Sequence, residues 1–159
     1  DFLNDITVEQ LLSEIVKSFQ EISNKKLSLI TTDNTKNPSI QRTLETTYGI
    51  RNFVGNAIKF SKSFVEIVLE SNKRITTIKI CDDGPGFSND IIELLGEPYI
   101  KSKESYFSDK SGLGLGTFIG KTLLQRMKAS VKFGKCSKTN GALVTLQWEN
   151  KDLTLTNLM

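Results

Sequence analysis

Two rhythms of apolar residues run along this chain. Val8, Leu11, Leu12, Ile15, Val16 and Phe19 recur at the spacing of one helical face. Thr7 precedes them, with Gln10 three residues on, the signature of a capping box. The pattern predicts a helix over about 8–22. A second helical stretch covers 43–60, with Leu44, Thr47, Tyr48, Phe53, Val54, Ala57 and Ile58 on one side. Residues 26–31 alternate polar and apolar and predict a strand. Residues 64–70 and 76–81 read as two strands of a hairpin turning at Asn72-Lys73. Residues 131–134 and 143–148 read as two more, joined across Asn140-Gly141. A short helical turn at 91–95 and a helix over 118–127 complete the elements.

The punctuation between them is polar or glycine-rich. Residues 32–38 form a loop, as do 82–86, and 96–111 is a polar, flexible segment carrying Lys101, Lys103 and Lys110. The order is helix, strand, helix, two strands, loop, helix, two strands. It predicts an α/β (α+β) sandwich, with helices covering one face of a mixed, mostly antiparallel sheet. One domain over 1–149 and a frayed tail over 150–159 are expected.

Composition narrows the function. The 159 residues carry Lys+Arg 21 against Asp+Glu 18, a balance too mild for a nucleic-acid surface. There is no His in the sequence. That excludes Ser-His-Asp or Cys-His catalysis within the chain, and no histidine in it can carry a phosphoryl group. The two cysteines, Cys81 and Cys136, lie far apart and outside any Cys-x-x-Cys pattern, so a zinc site is excluded in practice. Isolated cysteines fit a reducing compartment better than a disulfide scaffold. Cys81 reads as a small core residue and Cys136 as a loop residue. Trp148 and the nine phenylalanines read as core. No signal peptide or bilayer-spanning run is evident, and the chain opens on Asp rather than Met, as an excised piece would.

Three segments carry candidate chemistry. In Asp82-x-Gly84-x-Gly86, glycines allow close backbone approach, and a carboxylate at a strand end can accept a hydrogen bond from an exocyclic amine. In Gly112-x-Gly114-x-Gly116, the run opens onto a helix whose free N–H groups suit phosphate. No Gly-Lys-Ser/Thr follows, and no strand precedes, so it is neither a Walker loop nor a dinucleotide fingerprint. Asn52, Asn56 and Lys59 fall on one helical face, four and three residues apart. Two carboxamides and an ammonium there either are solvated or meet a ligand: an Asn oxygen suits Mg²⁺, and a Lys suits phosphate. Taken singly, each glycine loop reads as a turn more readily than as a site.

Together and in this order, the three segments resemble the Bergerat-fold (GHKL) ATPases, the superfamily of DNA gyrase B, MutL and the histidine kinases. Residues 52–59 match the N box, 82–86 the first glycine box, 112–116 the second, and 97–103 the opening of the ATP lid. The resemblance runs from about Val8 to Trp148. It implies ATP and Mg²⁺ as cofactors. Asn56 would coordinate Mg²⁺, Asn52 would support the metal and phosphates, and Lys59 would contact phosphate. Asp82 would read the adenine amino group, with Gly84 and Gly86 shaping its pocket. Gly112, Leu113, Gly114, Leu115, Gly116 and Thr117 would wrap the phosphates, and Lys103 or Lys110 would reach the γ-phosphate.

Hydrolysing members of the superfamily carry a general-base Glu where this chain has Asn52, and an amide cannot take a proton from water. The resemblance is therefore to the catalytic domain of a two-component sensor histidine kinase, which hands the γ-phosphoryl group to a His on a separate dimerisation domain of the same receptor, with a response regulator downstream. A degenerate nucleotide-binding module and a gyrase- or MutL-like ATPase are the alternatives. Glu97-Pro98-Tyr99, residues 112–124 and residues 141–148 look like the RegB/PrrB-type redox-responsive kinases. Lys59 is more typical of general sensor kinases than of that subgroup. Ala142 stands where many members have a Thr near the adenine, and the dimerisation helices with their His are not in this sequence. The family's parents are mostly anchored in the bacterial inner membrane with this domain in the cytoplasm, and the resemblance implies the same here, with the piece itself soluble and monomeric.

Overall fold

The computed structural model describes residues 5–32, 35–94 and 114–154. In chain order the elements are β1 (Asp5–Thr7), α1 (Val8–Gln20), β2 (Lys26–Thr31), β3 (Ser39–Gln41), α2 (Leu44–Phe60), β4 (Phe64–Ser71), β5 (Ile75–Asp82), α3 (Asn89–Leu94), α4 (Gly114–Arg126), β6 (Ser130–Lys135) and β7 (Ala142–Glu149). Five strands form one sheet in the order β2-β4-β5-β7-β6. Only β2 against β4 is parallel; the other neighbours are antiparallel. The sheet is mixed and mostly antiparallel, as its turn chemistry predicts.

The period of two decides which face is covered. Val65, Ile67 and Leu69 of β4, Ile78 and Ile80 of β5, and Val144, Leu146 and Trp148 of β7 are all buried. Pairing places Ile67 opposite Ile80 and Ile78 opposite Leu146, so one apolar face runs across the sheet. Burying each such side chain is worth about 1.5–3 kcal/mol. The opposite face carries Glu70, Thr77, Lys79 and Thr145. Helices α1, α2 and α4 pack on the apolar face through Leu11, Leu12, Ile15, Ile50, Phe53 and Leu124.

Local signals set the helix ends. Thr7 Oγ1 accepts from Gln10 N at 3.1 Å, and Gln10 Oε1 accepts from Thr7 N at 3.1 Å, completing the capping box. Thr43 caps α2 by accepting from Thr46 N. Helices α2 and α4 approach closely because glycine lies at their crossing. A Cβ on Gly49 would meet the Leu124 side chain, and one on Gly120 would meet Asn52 and Phe53. The start of α4 is thereby held against the middle of α2.

The structure departs from the sequence expectation in four places. α1 ends at Gln20 rather than residue 22. A two-stranded ribbon of β1 and β3 was not foreseen, since three residues are too few for an alternation to register. α4 starts at Gly114, four residues before the expected 118, because Gly114 and Gly116 adopt helical conformation ahead of the apolar period. Residues 150–153 are docked rather than frayed: Asn150 N donates to Arg74 O at 2.7 Å, and Leu153 is buried.

Asp83, just past β5, ties the site's loop to the start of β4. Its carboxylate accepts from Lys62 N at 2.8 Å, from Ser63 N and Oγ, and from Phe64 N. Desolvation pushes its pKa up, but the bonds from Ser63, Phe64 and Lys62 outweigh it and hold the carboxyl well below its ordinary value. A depressed folded pKa gives stability that is present above the unfolded pKa of about 3.9 and lost as pH falls through the folded one. Asp83→Ala therefore lowers stability by about 1 kcal/mol at neutral pH, allowing for solvent screening. Denaturant midpoints should show the gap between wild type and variant closing below pH 4; a gap that persists unchanged in acid would exclude this role.

Candidate functional site

β5 carries Asp82 out of the sheet onto the apolar side, where its side chain is 3% exposed. Oδ1 accepts from Gly84 N at 2.9 Å and from Ala142 N at 3.1 Å. Among the described residues Oδ2 has no partner, and Asp82 lines a cleft. Burial pushes the carboxyl above its usual range; the two N–H groups pull it down without offsetting that, and the neighbouring Asp83 adds to the rise. A fixed carboxylate with one oxygen facing an apolar cleft is suited to a single directed hydrogen bond.

The glycines of the loop answer to local crowding. Gly86 has φ +80, a left-handed value that costs glycine nothing. Gly84 lies so close to α2 that a Cβ would run into the carbonyl of Phe60. Gly86 lines the cleft with Asp82, as expected, whereas Gly84 acts behind it through its N–H.

Across the cleft stands Asn56. Its Nδ2 donates to Thr117 Oγ1 at 3.0 Å, joining the middle of α2 to the first turn of α4. That commits the amide's donor end and leaves its oxygen without a partner among the described residues. Thr117 is 1% exposed, and both residues line the same cleft as Asp82. Asn52 does not line it; its Nδ2 donates to Tyr48 O at 2.9 Å, and a Cβ on Gly116 would sit 3.8 Å from its Oδ1. Lys59 is exposed, with Nζ 5.4 Å from the Phe60 ring centre, and does not line the cleft either. Asn52, Asn56 and Lys59 all lie on α2, but of the three only Asn56 lines the cleft. Lys103, Lys110, Gly112 and Leu113 lie outside the described residues, and Gly114 and Leu115 are described only as the opening of α4.

Sequence reasoning missed the cleft's aromatic wall. Phe133 packs 5.9 Å from Phe53 and edge-on to Phe87 at 5.8 Å, and all three line the cavity. They read as core because a phenylalanine lining a pocket and one filling a core share the same period. Trp148 is core, with Nε1 donating to Met127 O. The cysteines were also misjudged: Cys81 and Cys136 form a disulfide, with Cα atoms 5.7 Å apart. Spacing along the chain could not show this, because β5 and the end of β6 meet only through β7.

An apolar slot with aromatic walls, one buried carboxylate at its base and an amide oxygen near a helix N-terminus fits a purine nucleotide. Among the described residues no group of three or more His, Cys, Asp or Glu side chains converges. A divalent cation would accordingly depend on amide oxygen and on the ligand's own phosphates.

The family described as histidine kinase-, DNA gyrase B-, and HSP90-like ATPase matches residues 44–152. Sensor histidine kinase RegB of Cereibacter sphaeroides is 36% identical over 107 residues, covering 64% of this chain and 23% of RegB. The chain thus spans about a quarter of that relative's length. The catalytic domain of histidine kinase ThkA aligns with a TM-score of 0.74 at 17% identity, over 94% of this chain and 96% of that one. ThkA in complex with response regulator protein TrrA aligns with a TM-score of 0.69 at 16% identity, over 93% of this chain and 42% of that one. The chain belongs to the histidine kinase-, DNA gyrase B- and HSP90-like ATPase family. The expected ATP-binding catalytic domain and its likeness to RegB-type kinases are both borne out.

Proposed function

We propose that this chain binds ATP with Mg²⁺ in the Asp82–Asn56 cleft and transfers the γ-phosphoryl group to a histidine on a separate dimerisation domain of a longer receptor. The observation that carries the proposal is the convergence of Asp82, Asn56 and Thr117 on one aromatic-walled cleft. Asp82 Oδ2 accepts from the adenine amino group, and Phe87 and Phe133 flank the base. The Asn56 oxygen holds Mg²⁺, which supplies charge to offset that developing on the transferred phosphoryl group. Asn52, one turn before Asn56, supports the metal and phosphates. Lys59, with Lys103 or Lys110, contacts phosphate, and residues 112–117 present N–H groups to it.

Asn52, one turn before Asn56, is an amide and cannot take a proton from water, which favours transfer to a histidine over hydrolysis. A histidine nucleophile needs no such base near neutral pH. RegB is named a sensor kinase and ThkA is seen with a response regulator, which supports a response regulator downstream here. No helix among the described residues is long and apolar enough to cross a membrane. The proposed parent is a receptor of the bacterial inner membrane with this domain on its cytoplasmic side.

Mixing the chain with a His-bearing dimerisation domain, Mg²⁺ and γ-labelled ATP tests the proposal. Acid-labile, base-stable label should appear on the added domain and depend on both Mg²⁺ and this chain. Steady hydrolysis by the chain alone, with no phosphohistidine formed, would point instead to a gyrase- or MutL-like ATPase.

A further inference from the structure

Adjacent side chains of a strand face opposite sides of the sheet. Asp82 faces the cleft, so Cys81 faces away from it, level with Glu66 of β4. A loop over 136–141 covers that outer side and crosses to the inner one. Its first residue is Cys136, bonded to Cys81, and its next residue is Ala142, whose N–H donates to Asp82 Oδ1 at 3.1 Å. Between them Thr139 Oγ1 donates to Asp82 O at 2.6 Å, and a Cβ on Gly141 would collide with that same carbonyl. Cys136 closes the loop on itself, donating to Gly141 O and accepting from Asn140 N, each at 2.8 Å. Outside, Lys138 pairs with Glu66 at 3.0 Å. The end of β5 is thus gripped from both faces by one short loop, with the disulfide as its covalent anchor.

We propose that the Cys81–Cys136 disulfide is a positioning element for Asp82, making discrimination of the adenine amino group depend on the oxidation state of the pair. This rests on the nucleotide reading above. With the bond closed, rotation of β5 about its axis is blocked, and Oδ2 stays aimed into the cleft. Reduction by a dithiol transfers two electrons and two protons: the S–S bond breaks, each cysteine gains a hydrogen, and the dithiol closes to its own disulfide. Asp82 then keeps only non-covalent restraints from the loop, and its aim loosens. Both cysteines are almost fully buried, 5% and 4% exposed, so the pair reacts when the 136–141 loop opens.

A disulfide also stabilises a fold generally, so the test must separate aim from stability. Binding of ATP and of inosine triphosphate, which lacks the 6-amino group, is measured on the 159-residue chain. The oxidised chain, the dithiothreitol-reduced chain and Cys136→Ser are compared below their melting temperatures. Opening the bond should weaken ATP binding roughly tenfold, the scale of one charge-assisted hydrogen bond, and leave the weak inosine nucleotide binding unchanged. The reduced wild type serves where Cys136→Ser does not fold. Equal ATP affinity in oxidised and reduced chains overturns the proposal and leaves the nucleotide reading standing. Equal weakening of both nucleotides overturns it too, since the bond then merely holds the domain together. Two free thiols in the air-oxidised protein would exclude the bond itself. No ATP binding in the oxidised chain defeats the nucleotide reading and this proposal with it.

Discussion

Asp82→Asn abolishes ATP binding without unfolding the domain. Asn is isosteric and can keep its oxygen where Oδ1 accepts from Gly84 N and Ala142 N. Its NH₂ group then occupies the Oδ2 position and meets the adenine amino group donor to donor. The change removes a hydrogen bond to a charged acceptor and leaves two donors unpaired in a dry cleft, together about 3–5 kcal/mol, or at least a hundredfold in affinity. Stability moves the other way. Burial raises the folded pKa of Asp82, so the fold disfavours the ionised form and the neutral amide removes that cost. Wild-type ATP affinity, for the same reason, should fall as pH drops through a pKa above the usual Asp value of about 3.9. Calorimetric titration with thermal melts checks both halves. An Asp82→Asn protein that binds ATP as the wild type does would remove the adenine assignment.

Why was Asp82 legible from sequence when Phe133 was not? A carboxylate ending an apolar strand and opening onto two glycines breaks the local pattern, and such breaks tend to mark sites. Phe53, Phe87 and Phe133 break nothing. Their role comes from an inward face that is not filled, and that is a property of packing across α2, β6 and the loop after β5. The long helices and β2, β4, β5 and β7 were readable because their period repeats several times over. β1 and β3 were hidden by brevity, and the disulfide by its dependence on sheet order. Asn52 and Lys59 show the limit of the helical wheel. It put them beside Asn56, but only the crossing of α4 over α2, set by Gly49 and Gly120, decides which of the three faces the cavity. The neighbour that singles out Asn56 is Thr117, 61 residues away.

That pairing underlies the second large effect. Asn56→Asp spares nucleotide binding and cuts phosphoryl transfer about a hundredfold. Asp82, Phe87 and Phe133, on which the base is proposed to dock, stay untouched, so the affinity for ADP without Mg²⁺ should not change. At position 56 the amide donates to Thr117 Oγ1 at 3.0 Å and offers its oxygen to the cleft. A carboxylate must accept from Thr117 instead, and this reverses the hydroxyl and reorients the group at the N-terminus of α4. It also adds a negative charge beside phosphates whose transferring oxygens gain charge in the transition state. Mg²⁺ remains bound, since carboxylate oxygen suits it as well as amide oxygen does, but its field is partly neutralised where it is needed. ADP titration should match wild type, while phosphohistidine formed on an added dimerisation domain should accumulate about two orders of magnitude more slowly. Unchanged transfer would remove Asn56 from the metal site, and a parallel loss of Mg²⁺-free ADP binding would show that position 56 acts on the pocket's shape instead.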